Sequence, residues 1–320
     1  MPDPLMLASS GGAAPVLSSV RHALKQSLFA VGYYHHRLSN TAFPGVAVLC
    51  YHGVRTSDES VPFSDLHVTK ATFERHCRLL ADACNPISLA DFREARRSER
   101  TLPPRSVLVT FDDGYRGVLE HALPILERHG IPAAVFVSVE PVLDERHFWF
   151  DAFSRRRGEA AVLEARALPY DDWRRLVTPS ATAAEALETH RPLTSAELTR
   201  LAASPFIEIG AHTLTHPTLA RASAADQRRE IAGSRLALQR VLDTPVTAFA
   251  YPFGKVGEDY TAETVTVVAD AGFDLAFTTA ASFAVPQGDP LQIPRFTMLD
   301  TVGEVELAHR LVHSWHAGVV

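Results

Sequence analysis

The sequence predicts an α/β fold on a parallel sheet or barrel, and three observations carry that reading. Short runs rich in Val, Leu, Ile, Ala and Phe alternate with amphipathic helical segments from residue 46 to residue 298. Several of those runs end in clusters of Asp, His or Pro/Gly, where parallel α/β architectures place their chemistry. With 320 residues, 46% hydrophobic and 21% charged, the chain is long enough for one large domain or two modest ones.

Residues 1–15 are small and Pro/Gly/Ser-rich. Val16, Val20, Leu24, Leu28 and Val31 recur at helical spacing and predict one amphipathic helix before Asn40. Its polar face is only weakly basic, which favours packing on its own domain over lying on a membrane surface. VAVLCY (46–51) reads as a buried strand. Phe73, Cys77, Leu80 and Cys84 mark a helix capped by Thr69, and Ser88 starts a shorter one through Arg97. SVLVTF (106–111) is a strand ending at Asp112, Asp113 and Gly114. A helix from Tyr115 to His129 is stopped by Gly130-Ile131-Pro132, and AAVFV (133–137) is the next strand. From Glu140 to Ser204 the periodicity blurs into Arg/Ala/Glu-rich segments with local helix signals, read as a helical insertion. FIEIG (206–210), VTAFAY (246–251), DLAFTT (274–279) and the extended QIPRF (292–296) complete the strands. Helices over 223–242 and 260–271 separate them, and a last helix covers 301–316.

Composition excludes several classes. Lys+Arg 31 against Asp+Glu 37 gives −6, so there is no global electrostatic footprint for nucleic acid. No uninterrupted apolar stretch approaches the ~18 residues of an integral membrane span. Cys50, Cys77 and Cys84 are odd in number, and two helical turns hold the Cα atoms of Cys77 and Cys84 roughly 10 Å apart. That exceeds disulfide reach and favours buried free thiols in a reducing compartment. The first 25 residues lack a basic segment followed by a compact apolar one, and the location is read as cytoplasmic, with periplasmic or membrane-peripheral as the alternatives.

Three clusters carry chemistry. Asp112 and Asp113, adjacent on the exit of a buried strand, repel each other unless a cation or solvent compensates. His212 and His216, four apart after FIEIG, can share a metal ion. Spacing alone is weak, because 15 histidines in 320 residues produce about two-thirds of one such pair by chance. His309 and His313 have the same spacing in a terminal helix with no preceding strand, and are assigned to a solvated helix face. One Asp and two His with an open position suit a catalytic zinc site, and a spare carboxylate beside it suits hydrolysis. Tyr251-Pro252-Phe253-Gly254 closes a turn or aims a backbone N–H at a developing oxyanion.

TFDDG (110–114), the HTLTH histidines (212–216) and YPFG (251–254) together resemble the polysaccharide deacetylases, the NodB-homology domain of carbohydrate esterase family 4. LCYHGV (49–54), GFDLAFTT (272–279) and IPRF (293–296) support the likeness in the usual order, over roughly 46–137 and 205–298. The resemblance implies a distorted (β/α) barrel of about seven parallel strands with a helical insertion. It divides the chain into an extension (1–45), a catalytic domain (46–298) and a terminal helix (299–320). It further implies that Asp113, His212 and His216 bind a divalent metal, zinc first, with cobalt, nickel or manganese as alternatives. Asp112 would be the general base, and the Phe253 N–H would help stabilise the oxyanion, with Tyr251 beside it as a substrate-site residue.

The chain departs from the family at two points. Ala250 stands where many members carry an Arg that orients the base, as in the poly-N-acetylglucosamine deacetylase-like branch. Arg295 is the replacement from another strand, a surface ion pair being the alternative. No C-terminal general-acid His motif is recognisable, and His52, after the first strand, is the acid read from that branch, a buried structural His being the alternative. Phe148-Trp149-Phe150 is read as insertion core rather than a sugar platform. The expected activity is metal-dependent removal of N-acetyl groups from amino sugars of a glycan or glycan precursor, with carbohydrate as the binding partner. An O-acetyl esterase and a catalytically silent glycan-binding module are the alternatives. The silent module would have lost a ligand or the base, and all four residues are present.

Overall fold

Near-continuous apolar runs such as SVLVTF form strands only when both sheet faces are covered, and the chain folds accordingly. The structure, a computed structural model, describes residues 14–57, 60–98, 101–178, 190–285 and 287–313. Its strands are β1 (Ala47–Tyr51), β2 (Val54–Arg55), β3 (Val68–Thr69), β4 (Asn85–Pro86), β5 (Ser106–Phe111), β6 (Ala133–Val137), β7 (Ile207–Ala211), β8 (Ala248–Ala250), β9 (Leu275–Phe277) and β10 (Phe296–Thr297). Seven of them run β10-β1-β5-β6-β7-β8-β9, every pairing parallel. β4 pairs with β5, and β2 with β3.

The sheet curls into a half-barrel. Ile293 bridges Phe277 on β9, and three residues later Phe296 sits opposite Leu49 on β1. The segment 293–297 therefore crosses from one edge strand to the other. Alternation divides the side chains between two cores. Val48, Leu108, Ala134, Phe136, Ala248 and Phe277 form one cluster. Leu49, Val107, Val109, Val135 and Phe249 belong to the other, which includes helical Phe73, Leu80, Ile125 and Ile231.

Local signals behave as the sequence predicts in most places. Thr69 caps Lys70–Ala83 by accepting from the Thr72 N–H, and Gly130, in the left-handed region at φ 65°, ends Leu123–His129. The predicted single helix over 115–129 is instead a π-turn at Val118–Ala122 running into Leu123–His129. The N-terminal helix is likewise two, Ala14–Ala30 and Tyr33–Asn40, separated by Gly32 at φ 76°. Both lie against the terminal helix Glu304–His313, through Lys25–Glu306 and Tyr34–His309. Leu28 joins the core edge, but Val20, Leu24 and Val31 remain exposed, so only part of the predicted stripe is buried. Among the described residues no helix is long and apolar enough to cross a membrane.

Over its described residues the insertion is helical, with Val139–Leu143, Trp149–Arg157, Glu159–Arg166, Tyr170–Val177 and Ser195–Ala202, and residues 179–189 lie outside the described residues. Phe148, Trp149, Phe153, Tyr170 and Trp173 give it an aromatic core of its own, joined by Tyr115 from the turn after β5. It is stapled to the turn after β5, where Leu193 N–H donates to Gly114 O at 3.0 Å and Arg116 N–H to Arg191 O at 2.8 Å.

Gly210 lets β7 approach its neighbours, because a Cβ there would lie 2.4 Å from Phe136 Cδ1 and 3.0 Å from the Ala248 carbonyl. Gly210→Ala should lower the unfolding free energy in urea by the ~1–3 kcal/mol of core overpacking. An unchanged midpoint and slope would show that this packing has slack.

Candidate active site

Parallel strands deliver their C-terminal ends to one rim, so residues far apart in sequence meet there. His52 follows β1, Asp112 and Asp113 follow β5, His212 and His216 follow β7, and Phe253 follows β8. All six line one cavity of about 200 Å³. Arg295 reaches the same place from just before β10.

Asp112 is buried, and so is its partner. Arg295 Nη1 and Nη2 donate to Oδ1 and Oδ2 of Asp112, each at 2.7 Å, in a bidentate pair with Arg295 at 0% exposure. Nε also donates to the Thr278 carbonyl at 2.9 Å and Nη1 to Thr110 Oγ1 at 3.2 Å. Burial alone would raise the Asp112 pKa, but Arg295 and then His212 more than offset it and hold the carboxyl well below the usual range. The surface ion pair considered for Arg295 is therefore excluded.

Asp113 has no such guanidinium. Its Oδ1 lies 3.6 Å from His212 Nε2 and 3.4 Å from His216 Nε2 and makes no hydrogen bond. Burial, then adjacent Asp112, raises the Asp113 pKa well above normal, so a stable carboxylate here calls for a cation. Burial lowers both histidine pKa values and keeps the rings neutral, as metal ligation requires. His212 donates Nδ1–H to the Ala250 carbonyl at 2.8 Å, which turns its Nε2 lone pair toward Asp113. Asp113, His212 and His216 thus fit a divalent ion. Cys50, His52 and Asp112 also converge, but both Asp112 oxygens are taken by Arg295, and burial raises the Cys50 thiol well above its normal pKa. That second group does not fit a cation.

The backbone here is strained. Asp113, Thr213, His216 and Phe253 have φ of 72°, 66°, 61° and 59°, half of the eight non-glycine residues with positive φ among the described residues. Buried Glu230 offsets this in the HTLTH loop, accepting from Leu214 N–H at 3.1 Å, Thr215 N–H at 2.9 Å and Thr215 Oγ1 at 2.8 Å. Trp149 Nε1 donates to the His216 carbonyl at 3.0 Å, a second brace supplied by the insertion.

The chain matches the family model described as polysaccharide deacetylase over residues 99–276, which include Asp112, Asp113, His212, His216 and Phe253. The chain belongs to the polysaccharide deacetylase family. It is 33% identical over 89 residues to the poly-beta-1,6-N-acetyl-D-glucosamine N-deacetylase of Escherichia coli K12. That stretch is 28% of this chain, and it spans only 13% of the E. coli enzyme's length. The fold resembles that of the Streptococcus pyogenes deacetylase PplD, determined with acetate, with a TM-score of 0.61 and 19% identity over 85% of this chain and 99% of that one. IcaB from Ammonifex degensii also has a TM-score of 0.61, with 21% identity, over 84% of this chain and 97% of that one.

The other predicted residues divide. His52 is half-buried in the cavity wall, its ring within 4.8 Å of the Asp112 carboxylate, and burial lowers its pKa to about 4. Phe253 N–H is engaged by no hydrogen bond among the described residues, and its ring lies edge-on to His216 with centroids 4.7 Å apart. Tyr251 is not brought into the cavity. Strand alternation turns it into the core, where it stacks on Tyr260 at 4.0 Å and donates to the Leu291 carbonyl at 2.9 Å. His309 and His313 do not form a solvated face either, since both rings pack against Tyr34. Several wall residues escaped the sequence reading, among them His67, Leu163 and Arg166. Leu163 and Arg166 belong to the insertion, which shows no motif, and His67 stands alone between short elements.

Arg295→Met should cost ~3–5 kcal/mol of unfolding free energy by stranding a buried carboxylate, and Asp112→Leu in the same chain should restore part of it. If the double variant is less stable than Arg295→Met, simple loss of packing explains the effect.

Proposed function

We propose that this polysaccharide deacetylase is a metal-dependent amidase that removes N-acetyl groups from N-acetylated amino sugars of a glycan or glycan precursor. One observation carries the reading: two adjacent buried carboxylates face one cavity in different company, Asp112 locked to Arg295 and Asp113 facing two neutral imidazoles. The N-deacetylase named in E. coli, similar over part of this chain, supports the amide over the ester.

A bound divalent ion, with zinc the first choice, would polarise the acetyl carbonyl and lower the pKa of water from 15.7 toward ~7. Asp112, held ionised and oriented by Arg295, accepts the proton as a water oxygen adds to the acetyl carbon. Its depressed pKa makes it a weak base, which suits a water already made acidic. The Phe253 N–H, left unengaged at the cavity wall, donates to the oxygen that gains negative charge. The tetrahedral adduct then collapses, breaking the C–N bond, and the nitrogen must take up a proton to leave as an amine. His52, with a pKa of about 4, is neutral at pH 7. It can therefore deliver a proton only after receiving one, and Asp112, within 4.8 Å, is the donor at hand. Acetate and a free amino sugar are the products.

Acetate release should be measured over a panel of N-acetylated and O-acetylated sugars and polymers, with zinc and with chelator. Zinc-dependent release from the N-acetylated members supports the proposal, and release from O-acetylated members alone makes the protein an esterase. Asp112→Asn should keep its metal while turnover falls by ~10²–10⁴-fold. His52→Ala should impair amide cleavage far more than cleavage of an activated acetyl ester. Equal losses on both would make His52 structural.

A further inference from the structure

The insertion sends one cation to the loop that carries the Phe253 N–H. Arg166, last residue of the helix Glu159–Arg166, holds its guanidinium 3.9 Å from the centroid of the Phe253 ring. The same ring lies edge-on to His216, so Phe253 contacts both a residue of the proposed metal set and a cation of the insertion. Arg166 also pairs with Asp259, whose side chain is 1% exposed, and its Nη2 lies 4.0 Å from Glu258 Oε1. Asp259 closes the loop from the far side, accepting from the Lys255 N–H at 3.0 Å, while its own carbonyl accepts from the Ala220 N–H at 2.8 Å.

Phe253 needs such a restraint. A bulky residue at φ 59° is costly, and Gly254 follows at φ 78° with its carbonyl on the Thr279 N–H at 3.1 Å. Thr279 Oγ1 holds the Phe253 carbonyl at 2.8 Å, which fixes the C-terminal side of the residue. The side chain of the same residue is in contact with Arg166 and His216. We infer that Arg166 is a positioning residue of the deacetylase, holding the Phe253 ring so that its N–H points at the oxyanion position. The inference rests on the amidase reading for its catalytic consequence, but the restraint on the loop stands by itself.

Arg166→Met keeps the aliphatic stem and removes both the cation–π contact and the ion pair, while Arg166→Lys keeps a cation for each. With zinc loaded, kcat for the amide substrate should fall by ~10–100-fold in the Met variant, the penalty of a small misplacement, with KM little changed. The Lys variant should regain part of that loss, and zinc affinity measured by chelator competition should be the same in all three proteins. Amide exchange followed by mass spectrometry, over peptides spanning 252–256, should be faster in the Met variant than in the wild type. That readout needs no turnover, so it tests the restraint even if the wild type releases no acetate and the amidase reading fails. Unchanged exchange overturns the inference. So does a raised KM at constant kcat, which would make Arg166 a substrate contact, or a Lys variant as impaired as the Met variant.

Discussion

Two carboxylates next to each other at the end of one buried strand set the terms for the rest of this protein. Asp112 and Asp113 are each 3% exposed. Like charges at ~4 Å repel by about 4 kcal/mol even at an effective dielectric of 20, before any desolvation is counted. The fold separates the two by company. Asp112 receives a bidentate guanidinium that also donates to Thr278 and Thr110. Asp113 receives two neutral imidazoles, which can hold a cation but do not replace one. For Arg295 to reach Asp112, the segment after β9 must return beside β1, and this is the step that curls the sheet.

That arrangement was partly legible in the residues. SVLVTF (106–111) and AAVFV (133–137) were found with their ends correct, whereas VTAFAY (246–251) and DLAFTT (274–279) shorten to Ala248–Ala250 and Leu275–Phe277. The rim residues followed from parallel topology. Asp112 with Arg295 was harder, since 183 residues separate them and the pairing depends on which strands become neighbours. Tyr251 misled because it belongs to a recognisable motif. In YPFG the Tyr closes strand β8 and faces the core, whereas Phe253, two residues on, faces the cavity. Gly32 breaks the predicted helix directly after Val31, the last residue of the apolar stripe.

The insertion offered least to a sequence reading and takes part in the site at several points. Trp149 braces the His216 carbonyl, Phe150 lies against the His216 ring, and Tyr115 donates to buried Asp151 at 2.8 Å beside Asp113. Tyr170 donates to Glu230 at 2.5 Å, the carboxylate that holds the HTLTH loop. Aromatic and charged residues in an Arg/Ala/Glu-rich stretch carry no periodic signature. Their roles come from partners supplied by the sheet. The helices of 140–204 are thus part of the scaffold of the rim, beyond packing on one another.

The central claim is that Asp113, His212 and His216, and not the neighbouring Cys50, His52 and Asp112, hold the ion. X-ray absorption at the zinc edge of the loaded protein tests it most directly. The account predicts a shell of nitrogen and oxygen scatterers only, at ~2.0–2.2 Å, unchanged by Cys50→Ala. A sulfur scatterer at ~2.3 Å that disappears with Cys50→Ala would place the ion in the other group and contradict the division of labour between the two carboxylates.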